Sequence, residues 1–299
     1  MKVVRSALIT GGSGFIGSHL VNRLRATGWR VAVLSRDRQR TGSVLKEIAR
    51  ESIHIYDGSY ESLLKAIEHS RPDVVFHLAS HFVAEHRMAD INPLLEGNLC
   101  FGTRLLEAMS ACEVRHFVNT GTSWQHFHGE AYDPVCLYAA TKQAFEDILA
   151  FYASSGQIRA ITLKLFDTYG PGDNRPKLLP ALRRAAQSGE VLRMSPGEQM
   201  LDLVYIDDVV DAYVCASNWL MENDIAQAGS YAVSSGQSVP LRGLVELMQE
   251  LTGGKPQVEW GARPYRVREV MQPWRGGNAV PGWTPNTGLR EGLEKILRS

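Results

Sequence analysis

The sequence contains few cysteines, no surplus of charge of either sign and no long apolar run. Its 299 residues include four cysteines that are far apart and form no Cys-x-x-Cys pair, so we expect neither a disulfide framework nor a zinc site. Lys plus Arg and Asp plus Glu each number 32, and the zero net charge offers no long-range attraction to nucleic acid or an anionic membrane. A transmembrane helix and a secretory signal are not expected either. We therefore expect a cytoplasmic protein without a metal, nucleic-acid or membrane partner.

The spacing of apolar residues predicts an α/β fold. Hydrophobic residues make up 44% and charged residues 21% of the chain, which is typical of a globular protein. Nearly continuous apolar runs, typical of strands buried on both faces, alternate with helical patterns. The runs cover 3–9, 30–35, 52–56, 73–79, 114–120 and 158–166, and the helical patterns cover 15–28, 59–70, 90–112 and 137–155. This alternation predicts a doubly wound parallel Rossmann sheet within residues 1–168.

The regular alternation ends near residue 168. A stretch rich in glycine and proline at 168–176 predicts a loop. Shorter mixed elements follow, namely helices at 177–188, 207–221, 240–251 and 286–298 and a strand near 230–234. We expect residues 169–299 to form mainly a smaller C-terminal lobe that binds the substrate, with the chain crossing between the lobes. Ligands are expected at the carboxyl ends of the strands.

A glycine-rich turn follows the first predicted strand, in the order Thr10-Gly11-Gly12-Ser13-Gly14-Phe15-Ile16-Gly17. Glycine at 11 allows a tight turn, glycine at 14 lets a pyrophosphate approach the backbone, and glycine at 17 lets the next helix pack on the sheet. The first turn of that helix, with Phe15 and Ile16, offers free N–H groups and a positive dipole end. An ordinary strand-to-helix turn is the alternative, but the strand before and the helix after it favour a dinucleotide-binding site.

The end of the second predicted strand indicates which dinucleotide is bound. Enzymes that use NAD place an acidic residue there for the ribose 2′-hydroxyl, whereas this chain has Ser35 followed by Arg36. A guanidinium suits a 2′-phosphate, so the sequence favours NADP(H) over NAD(H), unless Arg36 is only a solvated surface residue. Asp57-Gly58, after the third strand, is either an acceptor for the adenine amino group or a simple turn.

Tyr138 and Lys142 lie four residues apart on a predicted helix, so their side chains share one face. A nearby ammonium is expected to lower the pKa of the phenol and so to allow acid–base chemistry near neutral pH; Lys142 could also hold a ribose. Thr122 and Ser123 lie at the predicted carboxyl end of the fifth strand, where a hydroxyl could hydrogen-bond a substrate oxygen. Each pattern alone is common, but together, behind a dinucleotide-binding turn, they predict a proton-transfer site.

Taken together, these residues resemble the extended short-chain dehydrogenase/reductases, the NAD(P)-dependent epimerase/dehydratase family that acts on nucleotide sugars. The resemblance runs from residue 6 to about residue 270. Further markers are His77-Leu78-Ala79-Ser80, Asn98 with Gly102-Thr103, Tyr169-Gly170-Pro171-Gly172-Asp173 and Val204-Tyr205-Ile206-Asp207-Asp208-Val209. The resemblance implies that Thr122, Tyr138 and Lys142 are catalytic. It also adds residues to the cofactor site, namely Leu78, Ala79, Ser80 and Asn98.

The resemblance also implies a nucleotide-sugar substrate. The residues expected to bind it are His81, Thr122, Ser123, Gln125, Asp167, Lys177, Leu178, Arg193, Ser195 and Arg266. The chain departs from the family pattern where Ser123-Trp124 replaces the acidic pair of dehydratases, where Asp167 replaces an asparagine, and where Leu201 replaces the diphosphate-binding arginine. Elimination chemistry is therefore disfavoured. The candidates to replace the missing arginine, unless they form only a solvated basic patch, are Arg263, Arg266 and Arg268.

Two segments, 119–126 and 164–171, are similar to the CDP-4-keto-6-deoxyhexose reductases, the abequose and paratose synthases. This similarity implies an NADPH-dependent 4-ketoreductase of a nucleotide-activated, CDP-linked 4-keto-deoxyhexose, with Tyr138 as proton donor. A nucleotide-sugar 4-epimerase with tightly bound NAD is the alternative, since it uses the same residues. A non-catalytic NADP-binding protein would be expected to lack Tyr138 or Lys142. The homodimer usual in the family, a four-helix bundle, would use helices 90–112 and 137–155.

Overall fold

The computed structural model describes residues 4–223 and 229–298, which are organised around an eight-stranded parallel sheet. The strands of this part of the chain are β1 (Ser6–Thr10), β2 (Arg30–Ser35), β3 (Ile53–Ile55), β4 (Val74–His77), β5 (His116–Thr122), β6 (Arg159–Leu165), β7 (Asp167–Tyr169), β8 (Leu192–Arg193), β9 (Met200–Tyr205), β10 (Gly229–Val233), β11 (Ser238–Pro240), β12 (Val258–Glu259) and β13 (Asn278–Ala279). The order in the large sheet is β3-β2-β1-β4-β5-β6-β10-β13. The predicted doubly wound Rossmann sheet is thereby confirmed.

Helices cover both faces of the large sheet. They are α1 (Phe15–Ala26), α2 (Arg38–Val44), α3 (Tyr60–Ser70), α4 (Ile91–Leu95), α5 (Phe101–Ala111), α6 (Leu137–Ser154), α7 (Leu178–Ser188), α8 (Ile206–Glu222), α9 (Leu241–Thr252) and α10 (Leu289–Leu297). Successive strand residues point to opposite faces. Ile9 and Phe76 therefore pack in the core with α1 and α8, whereas Leu8 and Val75 pack in the core with α3, α5 and α6. This double burial is why the strands are apolar along their whole length.

The strand order reverses at β1, because β2 lies on one side of it and β4 on the other. Ligands of open α/β sheets bind at such a reversal, beyond the carboxyl ends of the strands. Three candidate segments come together at this edge: the glycine-rich turn follows β1, residues 78–81 follow β4, and Thr122 is the last residue of β5. The topology thus brings the predicted dinucleotide and proton-transfer groups to one place.

The chain beyond residue 168 contributes both to small sheets and to the large one. β9 lies between β11 and β7, and β8 pairs with β12. β10 and β13 return to the large sheet, where β10 pairs in parallel with β6 along the whole of its length. β7 begins two residues after the end of β6, so the sheet of β11, β9 and β7 starts at the carboxyl edge of the large sheet.

The local structure departs from several of the predicted elements, and the strands β8, β9, β11, β12 and β13 were not predicted. Part of the predicted loop at 168–176 forms the end of β7, and α2 was not predicted at all. The predicted helix at 90–112 is α4 and α5 joined by a π-helical turn, Glu96–Cys100, which carries the buried Asn98. Within the described ranges no helix has the length and apolarity needed to cross a membrane. The same ranges contain no group of three His, Cys, Asp or Glu side chains placed to hold a metal ion.

Candidate active site

Two glycines shape the turn after β1. Gly11 has a φ of +72°, and a Cβ atom there would lie 2.6 Å from the backbone nitrogen of Ala79. A Cβ atom at Gly17 would lie 2.2 Å from the carbonyl oxygen of Gly11, because α1 packs directly on the turn. α1 begins at Phe15 without a side-chain cap on its first N–H groups. These N–H groups and the helix dipole fit the diphosphate of a dinucleotide.

A first cavity of about 360 Å³ extends from this turn past the ends of β2 and β4. Ser35 and Arg36 line it, as the sequence predicts, and so does Arg40, which the sequence did not single out. The N–H of Arg40 donates to the Asp37 carboxylate at 3.0 Å, which caps α2 and brings Arg40 beside Arg36. The first cavity therefore has two exposed guanidinium groups where NAD enzymes have a carboxylate.

Asp57 and Gly58 lie outside the first cavity. The Asp57 carboxylate accepts hydrogen bonds from the hydroxyl and the N–H of Ser59, at 2.6 and 2.9 Å, and these bonds lower the pKa of Asp57 to about 2. Ser59 in turn caps the first turn of α3. These hydrogen bonds show that Asp57-Gly58 forms a turn that leads into α3, while the contact of Asp57 with adenine stays a prediction.

Asn98 is buried and lines none of the described cavities. Its Oδ1 accepts from the Ser80 hydroxyl at 3.0 Å and from the His81 N–H at 2.7 Å, while its Nδ2 donates to the His81 carbonyl at 2.9 Å and to the Thr141 hydroxyl at 3.0 Å. Asn98 therefore anchors the segment after β4 to α6 instead of contacting the cofactor as expected. His81 lines the first cavity, and its contact with the substrate stays a prediction.

A second cavity of about 390 Å³ continues from the first and contains the proton-transfer groups. The residues that line both cavities are Gly11, Gly14, Leu78 and Ser80. Phe15, Ile16 and Gly17 line the second cavity as well. Thr122, at the end of β5, and Tyr138, in the first turn of α6, face this same space, together with Ser123. The structure therefore brings the predicted pair of hydroxyl groups together beside the dinucleotide turn.

Burial dominates the ionisation of the Tyr138–Lys142 pair. It raises the pKa of Tyr138 to about 12, although a hydrogen bond with the Ser80 side chain acts in the opposite direction. Lys142 is only 1% exposed, and burial lowers the pKa of its ammonium to about 8. The expected lowering of the phenol pKa by Lys142 is therefore corrected for the ligand-free protein, because desolvation of the phenolate outweighs other influences. Tyr138 keeps its proton at neutral pH.

Two aromatic residues form a wall of the second cavity: Phe82, which the sequence did not single out, and Trp124, which the sequence marked only as a departure from the dehydratase pattern. The ring of Phe82 meets that of Tyr138 edge to face, with centroids 5.0 Å apart, and lies 5.8 Å from the ring of Trp124. The Lys177 ammonium sits 5.3 Å from the centroid of the Phe82 ring and 3.8 Å from the Asp167 carboxylate. Phe82 follows β4 in the chain and Trp124 follows β5. Because residues that follow strand ends lie at this edge of the sheet, their sequence positions were a signal that could have identified them.

A third cavity of about 570 Å³ adjoins the second and shares Asp167 and Lys177 with it. Of the residues expected to bind substrate, it is lined by Asp167, Lys177, Leu178, Arg193, Ser195 and Arg266. Leu201 and Arg263 line it too. Arg266 forms a two-point pair with Glu269 at 3.0 and 2.8 Å, whereas Arg268 pairs with Asp133 and lines none of the described cavities. Arg263 and Arg266 thus remain as replacements for the missing arginine, and Arg268 does not.

Gln125 was expected to bind the substrate, but the structure corrects this expectation. Its side chain is fully buried and lines none of the described cavities. Its Oε1 accepts the N–H of Thr122 at 2.9 Å, and its Nε2 donates to Gln143 and Glu146, both at 2.8 Å. Buried amides normally find such partners inside the protein, which leaves none for a ligand.

Comparison with curated proteins identifies relatives across nearly the whole chain. The chain is 26% identical to the CDP-abequose synthase of Salmonella typhimurium, over 97% of each protein, and 29% identical to that of Yersinia pseudotuberculosis, over 89% of this chain and 90% of the relative. It is 24% identical to the dTDP-4-dehydro-6-deoxyglucose reductase of Escherichia coli, over 98% of this chain and 96% of the relative. These relatives match nearly the whole chain at low sequence identity.

Solved structures agree with the fold. The MoeE5 protein in complex with UDP-glucuronic acid and NAD superposes with a TM-score of 0.81 at 27% identity, over 98% of both chains. The UDP-glucose 4-epimerase of Thermus thermophilus in complex with NAD gives 0.80 at 26% identity, over 98% of this chain and 97% of that one. The family model described as NAD dependent epimerase/dehydratase family matches residues 7–229. On this match, which covers well over half of the chain, the protein belongs to the NAD-dependent epimerase/dehydratase family.

Proposed function

We propose that this protein is an NADPH-dependent ketoreductase that reduces the 4-keto group of a nucleotide-activated deoxyhexose. The observation that supports this most strongly is the continuity of the three cavities. The second cavity, which contains the hydroxyls of Thr122 and Tyr138, shares walls with the first cavity on one side and with the third on the other. A dinucleotide in the first and a sugar nucleotide in the third would therefore meet at these hydroxyls.

The side chains of the second cavity suit a ketone reduction. A bound nicotinamide supplies the hydride. Tyr138 is protonated at neutral pH, since its pKa is raised to about 12, and can donate its proton to the oxygen that becomes an alcohol. The Thr122 Oγ1 accepts the N–H of Trp124 at 3.3 Å, which leaves its own hydrogen to donate to the same oxygen. Ser123-Trp124 supplies no carboxylate for an elimination.

The residues that line the first cavity favour NADP(H) over NAD(H) as the cofactor. The two guanidinium groups of Arg36 and Arg40 can bind a 2′-phosphate with charge-assisted hydrogen bonds. Ser35 is the residue at the position of the usual acid, and its hydroxyl is already engaged as acceptor from Thr41 at 2.7 Å. A net reduction consumes its cofactor, so a preference for the phosphorylated dinucleotide fits the reductase better than the epimerase.

The residues that line the third cavity favour a nucleoside diphosphate as the activating group of the substrate. We propose that this group is CDP, by analogy with the CDP-abequose synthases. Arg193 pairs with Glu259 at 3.3 Å and Arg266 with Glu269, so both cations are already compensated. Arg263 makes no ion pair within the described ranges, and we assign it the place of the missing diphosphate-binding arginine. Lys177 also has a carboxylate nearby, that of Asp167 at 3.8 Å, but it stands between the second and third cavities, where a cation would hold the phosphate nearest to the sugar.

A stopped-flow assay tests the proposed reaction. NADPH and the enzyme are mixed with 4-keto-6-deoxyhexoses linked to CDP, dTDP, GDP or UDP, and nicotinamide absorbance is followed. We expect stoichiometric loss of absorbance that is fastest with the CDP-linked substrate, and none in the Tyr138→Phe variant on the same timescale. An enzyme that consumes no NADPH with any of the four substrates would contradict the proposal.

A 4-epimerase is the second candidate, since solved structures similar to this chain include a 4-epimerase with NAD. The cofactor released by denaturing the purified protein separates the two. Stoichiometric retained NAD, together with interconversion of 4-epimers and no net NADPH consumption, would favour epimerisation.

We also propose that the protein is a cytoplasmic homodimer that pairs α4, α5 and α6 with the same helices of a second copy. Exposed apolar side chains on α4 and α6 support this arrangement, with Ile91 37%, Leu95 39% and Phe151 63% exposed. Sedimentation of the wild type and of Phe151→Glu tests it, with a dimer expected for the first and a monomer for the second.

A further inference from the structure

A buried polar network lies directly behind Thr122, outside the cavities that would hold cofactor and substrate. Gln125 is at its centre, and each polar atom of its side chain has a partner. Its Oε1 accepts the N–H of Thr122 at 2.9 Å, and its Nε2 donates to the Oε1 atoms of Gln143 and Glu146, both at 2.8 Å. The side chain is 0% exposed, so water offers no alternative partner.

These partners determine the orientation of the Gln125 amide. A flipped amide would direct its oxygen at the oxygens of Gln143 and Glu146 and its NH₂ at the Thr122 N–H, which has no acceptor to offer. All three hydrogen bonds would then be lost in a buried place, where each unsatisfied group is costly. Gln125 therefore holds the backbone of Thr122 in one position.

The network continues from Glu146 into the protein. The Lys164 ammonium lies 3.4 Å from the Glu146 carboxylate and 2.9 Å from the Nε2 of His126. His126 must accept this bond with Nε2, while its Nδ1–H donates to the Glu130 carbonyl at 3.1 Å. Lys164 and His126 are 5% and 7% exposed. Glu146, the residue that anchors Gln125, is thereby itself fixed by a buried cation.

The strand before Thr122 is shaped to receive this network. A Cβ atom at Gly121 would lie 2.9 Å from Oε1 of Glu146 and 3.1 Å from Oε1 of Gln125. Only a residue without a side chain lets both acceptors approach the end of β5 this closely. The close approach at Gly121 and the hydrogen bonds of Gln125 are two separate features that place the same groups at the same point.

We propose that Gln125, anchored by Glu146 and Gln143, is a positioning residue that keeps the Thr122 hydroxyl aimed at the reacting oxygen. This inference rests on the proposed function, in which Thr122 donates to that oxygen. Gln125 lines none of the described cavities, so it acts on turnover and not on the binding of cofactor or substrate. Misplacement of a reacting group by about 1 Å can lower a rate by about 100-fold.

The central variant is Gln125→Met, which keeps the length of the side chain and removes its three hydrogen bonds. We expect kcat to fall at least about tenfold, with KM for both substrates within about twofold of the wild type. The matched control is Gln157→Met. Gln157 also makes two side-chain hydrogen bonds, with Ser110 at 2.6 Å and Ser155 at 3.0 Å, but at the far end of α6. The kcat of Gln157→Met should stay within about twofold of the wild type. An equal loss of kcat in Gln125→Met and Gln157→Met would contradict the inference.

A double-mutant cycle distinguishes positioning from a general loss of structure. In the Thr122→Ala background there is no hydroxyl to position, so adding Gln125→Met should lower kcat by less than about twofold. Effects that multiply would show that Gln125 acts independently of Thr122, and would overturn the proposal. If Gln125→Met does not fold, Gln143→Ala serves instead. It removes one of the two anchors at a half-buried position and should lower kcat about threefold without changing KM.

Amide hydrogen exchange at Thr122 supplies a readout that needs no turnover. The amide should be protected in the wild type and in Gln157→Met, and should exchange at least about tenfold faster in Gln125→Met. If the wild type reduces no 4-keto sugar nucleotide, the proposed function fails, while this exchange measurement still decides whether Gln125 holds Thr122. Unchanged exchange in Gln125→Met would overturn the positioning role even in an active reductase.

Discussion

Replacing Lys142 with methionine should stabilise the protein in the absence of cofactor and substrate. Lys142 is 1% exposed, and burial lowers the pKa of its ammonium from 10.5 to about 8, with partial compensation by Glu146. That difference corresponds to about 3 kcal/mol of unfavourable free energy for keeping the ammonium charged in the folded state. Methionine has a similar length and no charge, so it removes this penalty. We expect Lys142→Met to be more stable by up to about 3 kcal/mol at pH 7.

The size of this stability difference depends on pH within a defined window. Below about pH 8 the lysine is charged in both the folded and the unfolded state, so the wild type bears the whole penalty. Between about pH 8 and 10.5 the folded protein loses this proton first, so wild-type stability rises relative to the variant. The advantage of Lys142→Met should therefore shrink across this window.

Urea unfolding of the cofactor-free proteins, followed by tryptophan fluorescence at pH 7 and pH 10, measures both effects. Lys164→Met is the matched control, because Lys164 is also buried but lies 2.9 Å from His126 and 3.4 Å from Glu146. Its removal leaves the Glu146 carboxylate without its cation and should destabilise the protein by about 3 kcal/mol or more. A Lys142→Met variant that is less stable than the wild type at pH 7, or whose advantage is the same at pH 10, would refute the reasoning.

Three further outcomes follow from the site. Arg36→Ala combined with Arg40→Ala should raise KM for NADPH about 10- to 50-fold in a steady-state assay and leave KM for NADH within about threefold. Arg38→Ala is the control, since the Arg38 guanidinium donates to the Arg50 carbonyl, and it should leave both KM values unchanged. Gly17→Ala should abolish dinucleotide binding in a fluorescence titration, because its Cβ would lie 2.2 Å from a backbone oxygen; binding at wild-type affinity would disprove the close packing. Tyr138→Phe should lower kcat about 10²- to 10⁴-fold with little change in the Kd of the sugar nucleotide, and a smaller loss would point to another proton donor.

The large sheet could be predicted from the sequence because its strands are buried on both faces and are bounded by helices. Continuous apolar runs at 30–35 and 114–120 correspond closely to β2 and β5, and the glycine-rich turn falls where α1 packs on β1. The small strands β7, β9 and β11 were not predicted. β7 and β11 have only three residues each, which is too short for length or local periodicity to mark them. β9 has six residues but lies outside the regular alternation of strands and helices from which the large sheet was predicted.

The residue types of the candidate site could be predicted from the sequence, but the burial of their side chains could not. The four-residue spacing of Tyr138 and Lys142 shows that they share a helix face, but it carries no information on burial, which sets the direction of both pKa shifts. Asn98 and Gln125 were expected to contact ligands because the family resemblance implied it. Their partners lie on α6 and in the loop after β4, remote in sequence, so only the folded chain shows that they act as structural supports.

β10 has a consequence for shortened forms of the chain. It pairs with β6 along five residues, from Gly229 opposite Ile161 to Val233 opposite Leu165. A polypeptide ending at residue 168 would keep the glycine-rich turn and Tyr138 but would leave one flank of β6 without a neighbour. An unprotected apolar strand edge recruits strands from other molecules. Such a fragment should therefore self-associate on expression rather than yield a free-standing nucleotide-binding unit.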